Sequence, residues 1–102
     1  MIKKVDFEEG HRLLTEREGI ILLDVREEEE YITGHARDSV LFPLDTINGE
    51  TAAEVIPDKD TPIMIYCRSG RRSLLAAEIF EGLGYTELYD LGGLIGWPYG
   101  IE

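Results

Sequence analysis

Two short apolar runs, GIILLDV (19–25) and TPIMIYC (61–67), constrain the fold of this chain more than any other feature. A strand with one wet face alternates apolar and polar residues, and these runs do not. Short runs rich in β-branched and bulky side chains read as strands buried on both faces, the condition of a parallel sheet. SVLFPL (39–44) and ELYDL (87–91) read as two further strands, and KKV (3–5) as an edge strand at the front. Strands alternating with helical segments give an α/β fold.

The intervening segments carry helix signals. Asp6 is placed as an N-cap, with Glu9 three residues on as in a capping box, before FEEGHRLLTE. The run Glu27 to Glu30 reads as a solvated helix face with Tyr31 turned inward. TINGETAAEVIP (46–57) is expected to hold a broken or late-starting helix, because Asn48 and Gly49 are poor helix interiors. In RRSLLAAEIFEGLGY, the residues Leu74, Leu75, Ala77, Ile79, Phe80 and Leu83 form one broad stripe, and Gly82 and Gly84 offer stop signals. GLIGW (93–97) is expected as a short terminal helix ended by Pro98.

At 102 residues the chain is expected to form one domain spanning residues 1–102, with no internal repeat or linker-like stretch to divide it. With 21 acidic against 10 basic residues, the net charge of −11 argues against nucleic acid or anionic membrane as a partner, since both require a basic surface. One cysteine makes no internal disulfide, and one cysteine with His11 and His35 is thin material for a metal site, so no metal or cofactor is expected. No apolar run approaches the roughly 20 residues of a membrane span, and the N-terminus lacks an apolar targeting core. A cytoplasmic address is the resulting expectation.

That single cysteine opens CRSGRRS (67–73), which also holds three of the ten basic residues. In open parallel sheets ligands sit beyond the C-terminal ends of the strands, where both Asp24 and Cys67 fall. Alone, a cysteine after an apolar strand is a small buried hydrophobe. Arginines at the start of a helix, however, oppose its dipole and lack a local structural reason. A strand end running through Gly70 into a helix N-terminus turns backbone N–H groups toward the sulfur, and Arg68, Arg71 and Arg72 add full charges. Each of these effects favours thiolate over thiol.

CRSGRRS, the following LLAAEIFEGLGY and the later LYDLGGLIGW resemble the active-site loop, adjoining helix and C-terminal segment of single-domain rhodaneses, a family of sulfurtransferases. LLDVREEEEYITGH resembles that family's segment of the form Asp-Val-Arg-Glu-x-Glu-Glu-Tyr ending in Gly-His. The resemblance runs from about Val5 to Trp97. It implies a three-layer α/β/α fold with a five-stranded parallel sheet, and a two-step transfer needing no cofactor. Cys67 attacks the outer sulfur of a small anionic donor such as thiosulfate and becomes a persulfide, which cyanide or a thiol acceptor then discharges. Backbone groups of Arg68, Ser69, Gly70, Arg71, Arg72 and Ser73 would cradle the anionic sulfur, while the three arginines recruit the donor. Asp24 and Arg26 match the family's Asp-Val-Arg and are expected to brace the loop from the neighbouring strand end; an ordinary strand-end ion pair is the alternative. His35 is expected to make a structural hydrogen bond, and Phe80 and Trp97 to lie in the core.

One departure is visible. After Gly34-His35 the family usually continues Ile-Pro-Gly-Ala, whereas this chain has Ala36, Arg37, Asp38 and Ser39, making Arg37 a candidate for the rim of the site. Three rival functions remain in view. Phosphatases of the cell-division-control type and arsenate reductases also use a cysteine in a cationic loop, but the phosphatase arginine six positions on is Ser73 here, so these stand well behind sulfur transfer. A non-catalytic protein-binding module is a second alternative, against which the retained cysteine counts. A carrier whose donor or acceptor is a protein is a third, in which an acidic surface would steer a basic partner.

Overall fold

The computed structural model describes all of residues 1–102. In chain order the elements are β1 (Ile2–Lys4), α1 (Phe7–Glu16), β2 (Ile21–Asp24), α2 (Glu28–Ile32), β3 (Val40–Leu41), a 3-10 turn at Leu44–Thr46, α3 (Gly49–Val55), β4 (Ile63–Cys67), α4 (Arg71–Gly82) and β5 (Leu88–Gly93). The strands form one five-stranded sheet in the order β1-β5-β4-β2-β3, and every pairing is parallel. Every residue of β4 is buried, as its unbroken apolar run requires. No helix is long and apolar enough to cross a membrane.

Successive strand side chains point to opposite faces, and this alternation builds two cores. Leu23, Ile63, Ile65 and Leu88 share one face with Ala52, Ile56, Ala76, Ala77 and Phe80 from α3 and α4. On the other face, Leu22, Met64, Tyr66, Tyr89 and Leu91 pack with Val5, Leu94 and Trp97, against Phe7, Leu13 and Leu14 of the α1 region. The result is the three-layer α/β/α sandwich. Cys67 has the parity of Ile63 and Ile65, so its sulfur lies on the α3/α4 face.

Several local expectations are corrected. The buried face of α4 is Ser73, Ala76, Ala77 and Phe80; Leu74, Leu75 and Ile79 are exposed. Ala77 and Phe80 of the expected stripe are thus buried and Leu83 packs on the core, while small Ser73 and Ala76 take the remaining sheet-facing positions. GLIGW is a turn: the Trp97 N–H donates to the Leu94 carbonyl at 2.9 Å, and Gly96 takes φ +91°, outside any right-handed helix. Asp6 caps α1 by accepting from the Glu9 N–H at 2.8 Å, but Glu9 turns to Lys3 and Arg12, so the reciprocal half of the box is missing. The third strand is only Val40–Leu41, while the fifth extends past Leu91 to Gly93. The helix after Ile47 does start late, with Asn48 Oδ1 accepting from the N–H groups of Glu50 and Thr51. Helix α4 stops at Gly82, and Gly84 follows in the left-handed region.

Candidate active site

Cys67 ends β4, and the chain turns through Arg68, Ser69 and Gly70 into α4. Gly70 takes φ +104° at the N-cap position, a conformation that favours glycine. Its N–H donates to Cys67 Sγ at 3.0 Å. This is the one backbone donor within hydrogen-bonding distance of the sulfur. The amides of Arg68, Ser69, Arg71, Arg72 and Ser73 donate to no protein acceptor, so the loop carries a set of free donors beside the sulfur and at the positive end of α4. Cys67 itself is fully buried, beneath the exposed Arg68 and Ser69.

The three arginines have different surroundings. Arg68 and Arg71 are exposed and form no salt bridge. Arg72 instead grips Glu30 of α2, Nη1 to Oε1 at 2.7 Å and Nη2 to Oε2 at 3.0 Å. That hydrogen-bonded pair lowers the Glu30 carboxyl from its ordinary 4.5 to about 2 and raises Arg72 above its usual value; the charge of a Cys67 thiolate acts on Arg72 in the same direction. The acidic run is therefore not a uniformly solvated face: Glu30 is part of the loop's support.

Asp24 and Arg26 form a buried pair, with Arg26 Nε 3.0 Å from both Asp24 oxygens and Nη2 2.7 Å from Oδ2. They make no hydrogen bond or salt bridge to residues 68 to 73, although Arg26 lines the same cleft as Arg68. Asp24 shares the parity of Leu22, in register with Tyr66, so it lies on the α1 face of the sheet, opposite the sulfur. There the Tyr66 hydroxyl donates to Asp24 Oδ2 at 2.5 Å, accepts from the Ala36 N–H at 3.1 Å and meets Ser39 Oγ at 3.1 Å. Burial is the main cause holding this hydroxyl protonated well past its ordinary range. Arg26 Nη2 also donates to the Gly34 carbonyl at 2.7 Å. The pair thus braces the Gly34–Ser39 connection. His35 makes a structural contact, Nδ1 to the Tyr31 carbonyl at 2.9 Å, with the two rings stacked. Arg37 lines neither cleft beside the loop; its guanidinium packs over Gly100.

Two supports of the loop come from β5. Asp90, only 1% exposed, accepts from Ser73 Oγ at 2.7 Å and from the Gly92 N–H at 2.9 Å, and Ser73 Oγ also lies 3.0 Å from the Gly70 carbonyl. Gly93 lies so close to the turn that a Cβ there would be 2.5 Å from the Arg68 carbonyl oxygen and 2.9 Å from Ser69 Cα. A lone acid inside an apolar strand, followed by paired glycines, was the available signal for both.

Two clefts flank the turn. One, of about 360 Å³, is lined by Arg26, Glu30, Arg68, Leu94, Ile95 and Trp97, among others. Its far wall includes Ile101, which the C-terminal segment holds against Ala36 through paired His35 and Glu102 backbone hydrogen bonds. The second, on the other side, is bordered by Lys4, Phe7, Ser69, Gly70, Leu91 and Gly93. No three His, Cys, Asp or Glu side chains are grouped to hold a metal ion.

A family model described as a rhodanese-like domain matches residues 6–98. Thiosulfate sulfurtransferase PspE of Escherichia coli is 38% identical over 72 residues, covering 71% of this chain and 68% of that protein. A protein named sulfurtransferase from Allochromatium vinosum is 34% identical over 98 residues, covering 95% of this chain and 89% of the relative. Among solved structures, a rhodanese with anions from E. coli superposes with a TM-score of 0.75 at 32% identity, over 81% of this chain and 96% of that one.

Proposed function

This chain belongs to the rhodanese-like domain family, and on that premise we propose that it is a thiosulfate sulfurtransferase working through a persulfide on Cys67. Residues 1–102 act as one domain, in the cytoplasm, with no cofactor. The observation that carries this reading is a cysteine at a strand end with one N–H already on its sulfur and five further loop amides free of protein acceptors. A peptide N–H left without a partner is destabilising when dry, and an anion removes that penalty.

The geometry supports the following order of events. The exposed guanidinium groups of Arg68 and Arg71 attract a dianionic donor, because neither is neutralised by a carboxylate. Arg72 is held by Glu30 and instead fixes the first turn of α4. Arg68 and Ser69, exposed and with backbone N–H groups that donate to no protein acceptor, form the lip that must shift to admit the donor to the buried sulfur. The Cys67 thiolate attacks the outer sulfur of thiosulfate, the S–S bond of the donor breaks, and sulfite leaves with the electron pair. The terminal persulfide sulfur is anionic and accepts from backbone amides of the loop, residues 68 to 73. Cyanide or a thiol then takes that sulfur and regenerates the thiolate. Ser73 stands where a phosphatase-type loop would carry arginine, and its hydroxyl is bound to Asp90, so no guanidinium is supplied from that position to clasp a phosphoryl group.

Thiocyanate formation from thiosulfate and cyanide tests this reading. Activity is expected in the wild-type chain and absent in Cys67→Ser; equal turnover by the two proteins would remove Cys67 from the chemistry.

A further inference from the structure

Asp90 carries a carboxyl group that no cation meets. It is 1% exposed and belongs to no salt bridge. Its Oδ1 accepts from the Ser73 hydroxyl at 2.7 Å and from the Gly92 N–H at 2.9 Å. Burial of such a group is costly, and these hydrogen bonds are what offsets it.

Both bonds lead to one residue. Ile65 pairs with Asp90 and Tyr66 with Gly92, so Leu91 is the extra residue of a bulge in β5. Asp90 Oδ1 receives the N–H of Gly92, which the bulge holds at φ +83°. A Cβ added to Gly70 would come within 3.7 Å of Gly92 Cα and 3.8 Å of Gly93 N, so this fixed glycine pair packs directly against Gly70. From the other side, Ser73 Oγ lies 3.0 Å from the Gly70 carbonyl oxygen, closer than the Leu74 N–H, at 3.4 Å, that the helix itself offers. Asp90 thus fixes the two neighbours that fix Gly70. Gly70 in turn supplies the one N–H on Cys67 Sγ, at 3.0 Å. At φ +104° and without a side chain, Gly70 has nothing of its own to hold that orientation.

We propose that Asp90 is a positioning residue for the sulfur chemistry: by clamping Ser73 and Gly92 about Gly70, it aims the Gly70 N–H at Cys67 Sγ. This rests on the sulfurtransferase reading given above and reaches past stability to the rate of sulfur uptake. A hydrogen bond weakens steeply as its angle falls, and a reacting group tolerates little displacement of its donors. With the clamp released, Gly70 swings away and the attacking thiolate loses its donor. The clamp works through an oxygen acceptor, so an amide oxygen in the same place accepts the same two bonds. Arg68 and Arg71, which recruit the anionic donor, take no part in it.

The full chain is compared with Asp90→Ala, Asp90→Asn and Ser73→Ala, all below the lowest melting temperature of the set. Amide hydrogen exchange of Gly70 is read by NMR against that of Ile65 in β4, and sulfite release is followed over a range of thiosulfate concentrations. In Asp90→Ala and Ser73→Ala, Gly70 exchange is expected to quicken about tenfold more than Ile65 exchange, the loss of roughly one hydrogen bond. The saturating rate of sulfite release should fall about tenfold, with the half-saturating thiosulfate concentration unchanged. That is less than the roughly hundredfold to thousandfold lost when an oxyanion-hole donor is removed, because the Gly70 N–H is displaced and still present. Asp90→Asn is expected to restore both readouts to about the wild-type values. Should Asp90→Ala fail to fold, Ser73→Ala cuts the same clamp from the α4 side.

Gly70 exchange that rises only in step with Ile65 would make Asp90 a support of stability alone and overturn the inference. So would an asparagine variant as slow as the alanine one, which would point to charge, or a raised half-saturating concentration at unchanged rate, which would point to recruitment. Sulfite release at the wild-type rate in every variant defeats the positioning role and leaves the sulfurtransferase reading intact. A wild-type chain that releases no sulfite defeats that reading, and with it any role of Asp90 in sulfur uptake.

Discussion

Arg72 of α4 and Glu30 of α2 meet through both guanidinium arms and both carboxylate oxygens, at 2.7 and 3.0 Å, and so tie the helix that follows Cys67 to the segment that follows β2. The Glu30 carboxyl is held near 2 instead of 4.5. A carboxylate depressed on folding stabilises the fold fully above its unfolded value and loses that contribution as pH falls toward the folded one. Glu30→Gln is therefore expected to lower stability at neutral pH by about 0.5–1 kcal/mol, the worth of a partly screened pair. The gap between the two proteins should close as pH falls from 4.5 to 2. Urea unfolding at several pH values measures it; a gap that persists at the acid end would contradict the assignment.

Arg71 and Arg72 are adjacent in sequence but differ in role. Arg71→Ala is expected to raise the KM for thiosulfate roughly threefold to tenfold, as one exposed charge contact is lost, with little change in Tm. Arg72→Ala should lower Tm as well, because it leaves Glu30 without its partner. Steady-state kinetics with thermal melts on both variants distinguish recruitment from support.

Gly93 is fixed by close approach. The 2.5 Å separation a Cβ would have from the Arg68 carbonyl oxygen is relieved only by moving backbone. Gly93→Ala is expected to destabilise the chain by about 1–3 kcal/mol and to slow sulfur uptake by displacing the turn over the sulfur. Chemical unfolding and the rate of sulfite release from thiosulfate check the two effects together.

The fold was legible because its main strands, GIILLDV and TPIMIYC, are short continuous apolar runs of the kind buried on both faces of a parallel sheet. The cysteine loop was legible because Cys67, Gly70 and the arginines are contiguous. What sequence did not yield is contact between distant segments. Glu30 looked like any member of an acidic run until α2 was seen beside α4. Asp24 was expected to brace the loop because it matches the family's Asp-Val-Arg, but strand parity puts it and Cys67 on opposite faces, and it forms the alternative, an ion pair with Arg26. Half of the α4 stripe was legible, since Ala77 and Phe80 are buried and Leu83 packs on the core, but the helix turns Ser73 and Ala76 to the sheet and leaves Leu74, Leu75 and Ile79 exposed.

Ser73 links the loop to the sheet through Asp90. Ser73→Ala leaves a carboxylate that is 1% exposed without its side-chain donor, and is expected to cost about 1–3 kcal/mol. Asp90→Asn, which keeps an acceptor for both Ser73 and the Gly92 N–H, should cost less. Paired unfolding curves for the two variants give the order; the reverse order would mean that Asp90 does not depend on Ser73.

The most direct measurement is the intact mass of the chain after exposure to thiosulfate, before and after addition of cyanide. The expected result is a gain of one sulfur atom in the wild type, located at Cys67, lost on adding cyanide and absent in Cys67→Ser. A wild-type chain that takes up no sulfur, or a serine variant that takes up as much, would contradict the assignment of Cys67 as the sulfur-bearing residue.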